Sequence, residues 1–100
     1  MPMQFEWDEA KSDATFERRG FDFSYAALVF HDPWRIERED ARKDYGEPRW
    51  QTIGEIESRV FLVVYTPRGA VIRIISARRA HDNEERTYRS ARQDHQSHDS

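Results

Sequence analysis

The chain has 100 residues, no cysteine and a formal net charge of −3, with 35% charged, 37% hydrophobic and 13% aromatic residues. That length allows one modest core. The missing cysteines exclude disulfides, thiolate catalysis and cysteine-ligated zinc, and the aromatic content argues against a disordered chain.

Gln4 to Trp7 alternates polar and apolar and predicts a short strand. Asp8 can cap a helix over about residues 9–19, with Gly20 as its stop. Ser24 can cap a second, short helix whose apolar stripe is Tyr25, Leu28 and Val29 and which ends near Phe30. His31-Asp32-Pro33 is a turn, because Pro33 pushes Asp32 away from helical geometry. Arg35 to Arg38 predicts a strand at an edge, since charges crowd it, and Glu39 to Pro48 predicts a surface loop.

Arg49 to Gly54 alternates again, and Glu55 to Arg59 predicts a turn. Val60 to Thr66 is a strongly apolar strand, Pro67-Arg68-Gly69 closes a hairpin, and Ala70 to Ala77 returns. Asp82 followed by Glu85 has the form of a capping box for a helix from about Asn83 to Ala91. Residues 92–100 hold no apolar side chain and predict a polar, disordered tail, leaving 1–91 as a single domain. The order predicts an α+β fold: a small antiparallel sheet carrying two N-terminal helices and one C-terminal helix. The longest apolar run, Val60 to Tyr65, is far short of a membrane span, and Met1 to Glu9 shows no secretory leader. A cytoplasmic protein without membrane contact is expected.

The charge is uneven. Residues 61–80 hold four Arg (68, 73, 78 and 79) and no acid, which is a plausible footprint for a polyanion. Lys11 and Lys43 are the only lysines, so Arg supplies nearly all the cations; its planar fork suits phosphate and buried carboxylate alike. The bland alternative is that these arginines pair with the nineteen acids.

Arg73, inside Val71 to Ile75, either pairs with an acid on a neighbouring strand or points into a site. Arg78 and Arg79 end that strand just before the last helix, where an anion could meet them, or they are solvated strand-end charges. Strand parity puts Arg73 with Arg79 and Arg78 on the opposite face, unless a bulge relaxes it. Glu47 and Arg49 lie at the mouth of the strand bordering the hairpin, as site residues or as an edge salt bridge. Tyr88, one turn beyond Glu84, is a core packer or a proton donor, and His81 precedes the same helix. Trp34 and Trp50 are core residues or, if exposed, stacking platforms for bases. His95 and His98 stand at helical spacing in the polar tail, which is too weak a signal for a metal; neither metal nor cofactor is expected.

Several stretches together resemble the BrnT family of toxins. They are Phe5-Glu6-Trp7-Asp8 with Lys11, Arg19-Gly20-Phe21-Asp22-Phe23, Ala26-Ala27, Val29-Phe30 and Asp32-Pro33. Gly46-Glu47-Pro48-Arg49-Trp50 with Gly54 resembles the family's middle signature. Val63-Val64-Tyr65-Thr66, then Arg73-Ile74-Ile75-Ser76-Ala77-Arg78-Arg79-Ala80 with Glu84 and Tyr88, resembles its closing one. The likeness runs over about residues 4–89.

The resemblance implies a RelE-like fold and a ribonuclease that arrests translation, as the toxin of a type II toxin–antitoxin pair. It implies an RNA substrate and a BrnA-like antitoxin, which neutralises the toxin and brings it to operator DNA. Many members carry Lys-His-Gly where this chain has Arg18-Arg19-Gly20, and Asn in place of Thr15; Arg19 stays protonated and cannot shuttle a proton. RNA cleavage without metal needs a base for the 2′-hydroxyl, cations for the phosphorane and an acid for the leaving oxygen. Arg73, Arg78, Arg79 and Arg49 suit the cation role, Glu47 or Glu84 the base, and Tyr88 or His81 the acid. The alternative is a non-catalytic relative that serves as a protein-binding module or co-repressor with its antitoxin.

Overall fold

The computed structural model describes residues 3–42 and 44–98, the last four by backbone alone. The elements are β1 (Gln4–Trp7), α1 (Glu9–Arg19), α2 (Phe23–Ala26), a 3-10 turn (Ala27–His31), β2 (Ile36–Glu39), β3 (Trp50–Ile56), β4 (Arg59–Arg68), β5 (Val71–Arg79) and α3 (Asp82–His98). The fold is α+β, and the sheet order is β1-β5-β4-β3-β2.

The caps of α1 are those the sequence predicts. Asp8 Oδ1 accepts from the Ala10 N–H at 2.9 Å, and Gly20 takes the left-handed conformation at φ 85° while its N–H reaches the Phe16 carbonyl. The second helix differs. Its cap is Asp22, which accepts from the Tyr25 N–H at 2.9 Å, and not Ser24. The chain then tightens into the 3-10 turn, which alters the stripe: Val29 is buried, but Leu28 faces solvent at 44% exposure.

The sheet is mixed rather than antiparallel. β1 runs parallel to β5, with Gln4 opposite Val71 and Trp7 opposite Ile74. Both helical segments lie between β1 and the rest of the sheet in sequence, so no hairpin turn sets its direction. The β3–β4 turn is the pair Glu57-Ser58, both at positive φ (50° and 72°), which matches the right-handed twist of the flanking strands. α3 continues past Ala91 to His98, so part of the expected tail is helical; residues 99 and 100 lie outside the described residues, as do the His95 and His98 side chains.

Two cores sandwich the sheet. On the helical face Phe61, Val63, Tyr65, Ile74 and Ala77 meet Phe23, Ala26, Val29 and Phe30. On the other face Ile53, Val60, Leu62 and Val64 pack under Tyr88 of α3. Each large side chain fully buried contributes about 1.5–3 kcal/mol. Trp50 packs against the first core and Trp34 against the second, so both are partly buried packing residues.

Asp32 ties these layers together. Its carboxylate accepts from the Trp34 N–H at 2.8 Å, the Glu55 N–H at 2.8 Å and the Tyr88 hydroxyl at 2.5 Å. Gly54 permits this approach. A Cβ there would stand 2.7 Å from Val29 Cγ2 and 3.3 Å from Asp32 Oδ2.

Candidate active site

A bulge in β5 decides which arginines share a face. Val64 lies opposite Ser76 and Tyr65 opposite Ile74, so Ile75 is an extra residue on the β5 side. Simple alternation would group Arg73 with Arg79. Instead Arg73 (opposite Thr66), Ser76 (opposite Val64) and Arg78 (opposite Leu62) share the α3 face. Arg79, opposite Phe61, points to the helical face. α3 packs over Ile53, Val60, Leu62 and Val64 of its face, and Arg73 lies further along β5, opposite Thr66.

Arg78 and Glu84 form the rigid centre of that face. The Arg78 guanidinium donates to both Glu84 oxygens, at 2.8 and 2.9 Å. Arg38 Nη2 adds a bond at 3.3 Å, and Arg38 Nε donates to Gln51 Oε1 at 2.7 Å. Glu84 also accepts from the His81 N–H at 2.8 Å, while the His81 carbonyl accepts from the Glu85 N–H at 2.9 Å. The capping box of α3 therefore runs from His81 to Glu84, one residue earlier than the Asp82–Glu85 pairing the sequence predicts. Glu84 is 7% exposed. Its carboxyl is held down to about 2, first by the Arg78 hydrogen bonds, against the opposing effect of burial. The His81 imidazole is 67% exposed, with Nδ1 3.8 Å from Glu84 Oε1.

Beside this centre a small cavity of about 90 Å3 opens among Arg19, Arg42, Arg78, Gln51 and Ser76, over Val64. Arg42 is anchored by two 2.7 Å bonds to the buried Asp40 carboxylate, which keeps Asp40 below the usual carboxylate range. Arg19, at the end of α1, reaches this cavity from beyond the β5 edge.

The other end of the same face carries a chain of alternating charges. Arg73 lies 3.8 Å from Glu6, Glu6 3.9 Å from Arg68, Arg68 3.3 Å from Glu47, and Glu47 3.7 Å from Arg49. Arg49 lies 3.9 Å over the Tyr45 ring, and its buried Nε–H has no hydrogen-bond acceptor among the described residues. Arg73 and Arg78 stand about 16 Å apart along the strand at roughly 3.3 Å per residue, and each is held by its own acid, Arg73 by Glu6 and Arg78 by Glu84, so they face different parts of a bound strand.

Tyr88 is fully buried, and its hydroxyl donates to Asp32. Burial, and then the Asp32 carboxylate, push the phenol up to about 12. That makes it a core residue out of reach of a substrate, in place of the proton donor that was its other reading. The structure thus brings Arg73, Arg78, Glu84, Glu47 and Arg49 to one face, places Tyr88 beneath it and sends Arg79 to the opposite face. Sequence reasoning left out Arg19, Arg38 and Arg42 as site residues. Arg38 read as an edge-strand charge and Arg42 as part of a polar loop; the sheet register brings Arg38 beside Arg78, and the Asp40 anchor brings Arg42 into the same small cavity.

Among the described residues no group of three or more His, Cys, Asp or Glu gathers to hold a metal ion, and no helix is long and apolar enough to cross a membrane. No curated protein matches the chain. A protein-family model does, over residues 7–84; its description is "Ribonuclease toxin, BrnT, of type II toxin-antitoxin system". The match covers well over half of the chain, and the chain belongs to this family of ribonuclease toxins.

Proposed function

We propose that the chain is an endoribonuclease that cuts RNA without a metal on the α3 face of the sheet, arrests translation by doing so, and is neutralised by a BrnA-like antitoxin. The observation that carries this reading is the β5 bulge, which sets Arg73 and Arg78 on one face with Arg38, Arg42 and Arg49 around them. Arg78 and Arg38 stabilise the charge that builds on the phosphorane oxygens, and Arg73, Arg49 and Arg68 hold the strand further along. Glu84 is ionised and fully engaged, so it positions Arg78 and takes no proton. Glu47 orients Arg68 and Arg49 in the same way.

Proton transfer falls to His81, the exposed titratable group beside Arg78 and Glu84. His81 takes the 2′-hydroxyl proton, and the 2′-oxygen attacks the neighbouring phosphorus. The bond to the 5′-oxygen breaks, and water supplies that oxygen with a proton. The products are a 2′,3′-cyclic phosphate and a 5′-hydroxyl.

The test is growth after induced expression, with total RNA run on a gel. Wild type arrests growth with loss of RNA, and Arg78→Ala relieves both. Because Arg78→Ala leaves Glu84 buried without its main partner, Arg73→Gln is expressed beside it; Arg73 has only the longer contact to Glu6. If both variants are soluble, folded and still arrest growth, the assignment is wrong. A folded wild type that arrests nothing would mark a non-catalytic partner of the antitoxin.

A further inference from the structure

Across the β5 edge from this groove, on the helical face, lies a larger cavity of about 270 Å3. Its aromatic floor is Phe21, Tyr25 and Phe61. Phe21 stands edge-on to Phe61 with ring centres 5.1 Å apart, and Tyr25 lies 5.8 Å from Phe61. Phe16, at its rim, is 57% exposed.

Three guanidiniums surround that floor: Arg19, Arg59 and Arg79. None forms an ion pair among the described residues, whereas most arginines of the opposite face are paired. The nearby carboxylates are engaged elsewhere. Asp22 accepts from the Tyr25 N–H at 2.9 Å, and Glu57 accepts from the Tyr25 hydroxyl at 2.6 Å. Phe61 itself is buried, with the Arg79 guanidinium 5.6 Å over its ring, so the exposed Phe16 ring and the partly exposed Phe21 and Tyr25 are the faces on which a splayed base can stack, while the guanidiniums take its phosphates.

Arg19 lines this cavity and the small cavity beside Arg78 alike, so its side chain stands between the two at the end of β5. That end is open because β1 pairs with β5 only as far as Trp7 opposite Ile74. We propose that the cavity is a subsite for an unpaired nucleobase of single-stranded RNA, with the flanking phosphates on Arg19, Arg59 and Arg79. The proposal rests on the ribonuclease reading of the groove.

The test is the affinity of a single-stranded RNA oligonucleotide with 2′-O-methyl sugars, which cannot be cut, measured against inorganic polyphosphate, which has the charge but no bases. Phe16→Ala weakens the oligonucleotide about 5- to 100-fold, as loss of one stacked base does, and leaves polyphosphate binding unchanged. Arg59→Gln weakens both ligands. Phe16 and Arg59 are exposed, so melting temperatures stay in place. Unchanged oligonucleotide affinity in Phe16→Ala overturns the proposal. So does a variant that keeps RNA affinity but loses antitoxin binding, which would make the cavity a protein-docking site. Cleavage of total RNA separates the two readings. A wild type that cuts while Phe16→Ala binds normally ends the subsite alone. Phe16-dependent binding by a wild type that does not cut upholds the subsite and ends the nuclease reading.

Discussion

Glu84 accepts from Arg78, from Arg38 and from the His81 N–H, and it is nearly sealed from water. Its carboxyl is depressed to about 2, so the folded state favours the ionised form more than the unfolded chain does. The resulting stability is present above the ordinary carboxylate pKa and fades as pH falls toward 2; at neutral pH it is worth about 3 kcal/mol. Denaturant titrations of wild type and Glu84→Gln should therefore differ most at pH 7 and converge toward pH 2. A constant gap across that range would mean that the carboxylate charge is not what stabilises the site.

The residue itself was legible in the sequence as a site candidate, but its role was not. Helical spacing places Glu84 one turn before Tyr88, yet nothing in that spacing shows that one carboxylate closes a cap, grips a strand-end arginine and meets β2. Tyr88 is a similar case: its partner Asp32 lies far away in sequence, and only the packing of α3 on β3 brings them together.

At the scale of elements, the local signals held where they are chemically specific. Asp8 and Gly20 bound α1 as their side-chain and backbone preferences require. Two features are legible only in outline: the sequence predicts a turn over Glu55 to Arg59 and leaves a bulge in the last strand open, but the residues that make them carry no specific signal. Ile75 looks like any strand residue, yet as the bulge it moves Arg73 from the face of Arg79 to that of Arg78. Glu57-Ser58 makes a tight positive-φ turn without the Asn or Gly that usually marks one.

Gly54 read only as one end of a strand, whereas the structure shows why a side chain is excluded there. Gly54→Ala should cost about 1–3 kcal/mol, because its methyl would press on Val29 and on the Asp32 carboxylate that joins the two layers. Thermal unfolding checks this, and a melting temperature equal to wild type would mean that the Asp32 junction yields easily.

Across the whole molecule, the net charge of −3 conceals a sharp division. All nineteen acids lie outside the β4–β5 hairpin, which contributes Arg59, Arg68, Arg73, Arg78 and Arg79, and the fold brings Arg19, Arg38, Arg42 and Arg49 to the same sheet. Composition alone pointed either to nucleic acid or to internal pairing, and both occur. Arg42 and Arg78 are bound to buried carboxylates that hold them in place, while Arg19, Arg59 and Arg79 form no ion pair among the described residues. The proposed RNA path runs from Arg73 on the α3 face, past Arg78, to Arg19 beyond the end of β1–β5 pairing.

The most direct measurement is cleavage of purified total RNA by the purified chain in excess EDTA, with the fragment ends identified, for wild type beside Arg73→Gln. The account predicts fragments ending in 2′,3′-cyclic phosphate from the wild type, and at least about a tenfold slower reaction from a variant that melts like wild type, as loss of one charged contact to the bound strand (about 1.5–3 kcal/mol) implies. Loss of cleavage on adding EDTA, or equal rates from the two folded proteins, would contradict it.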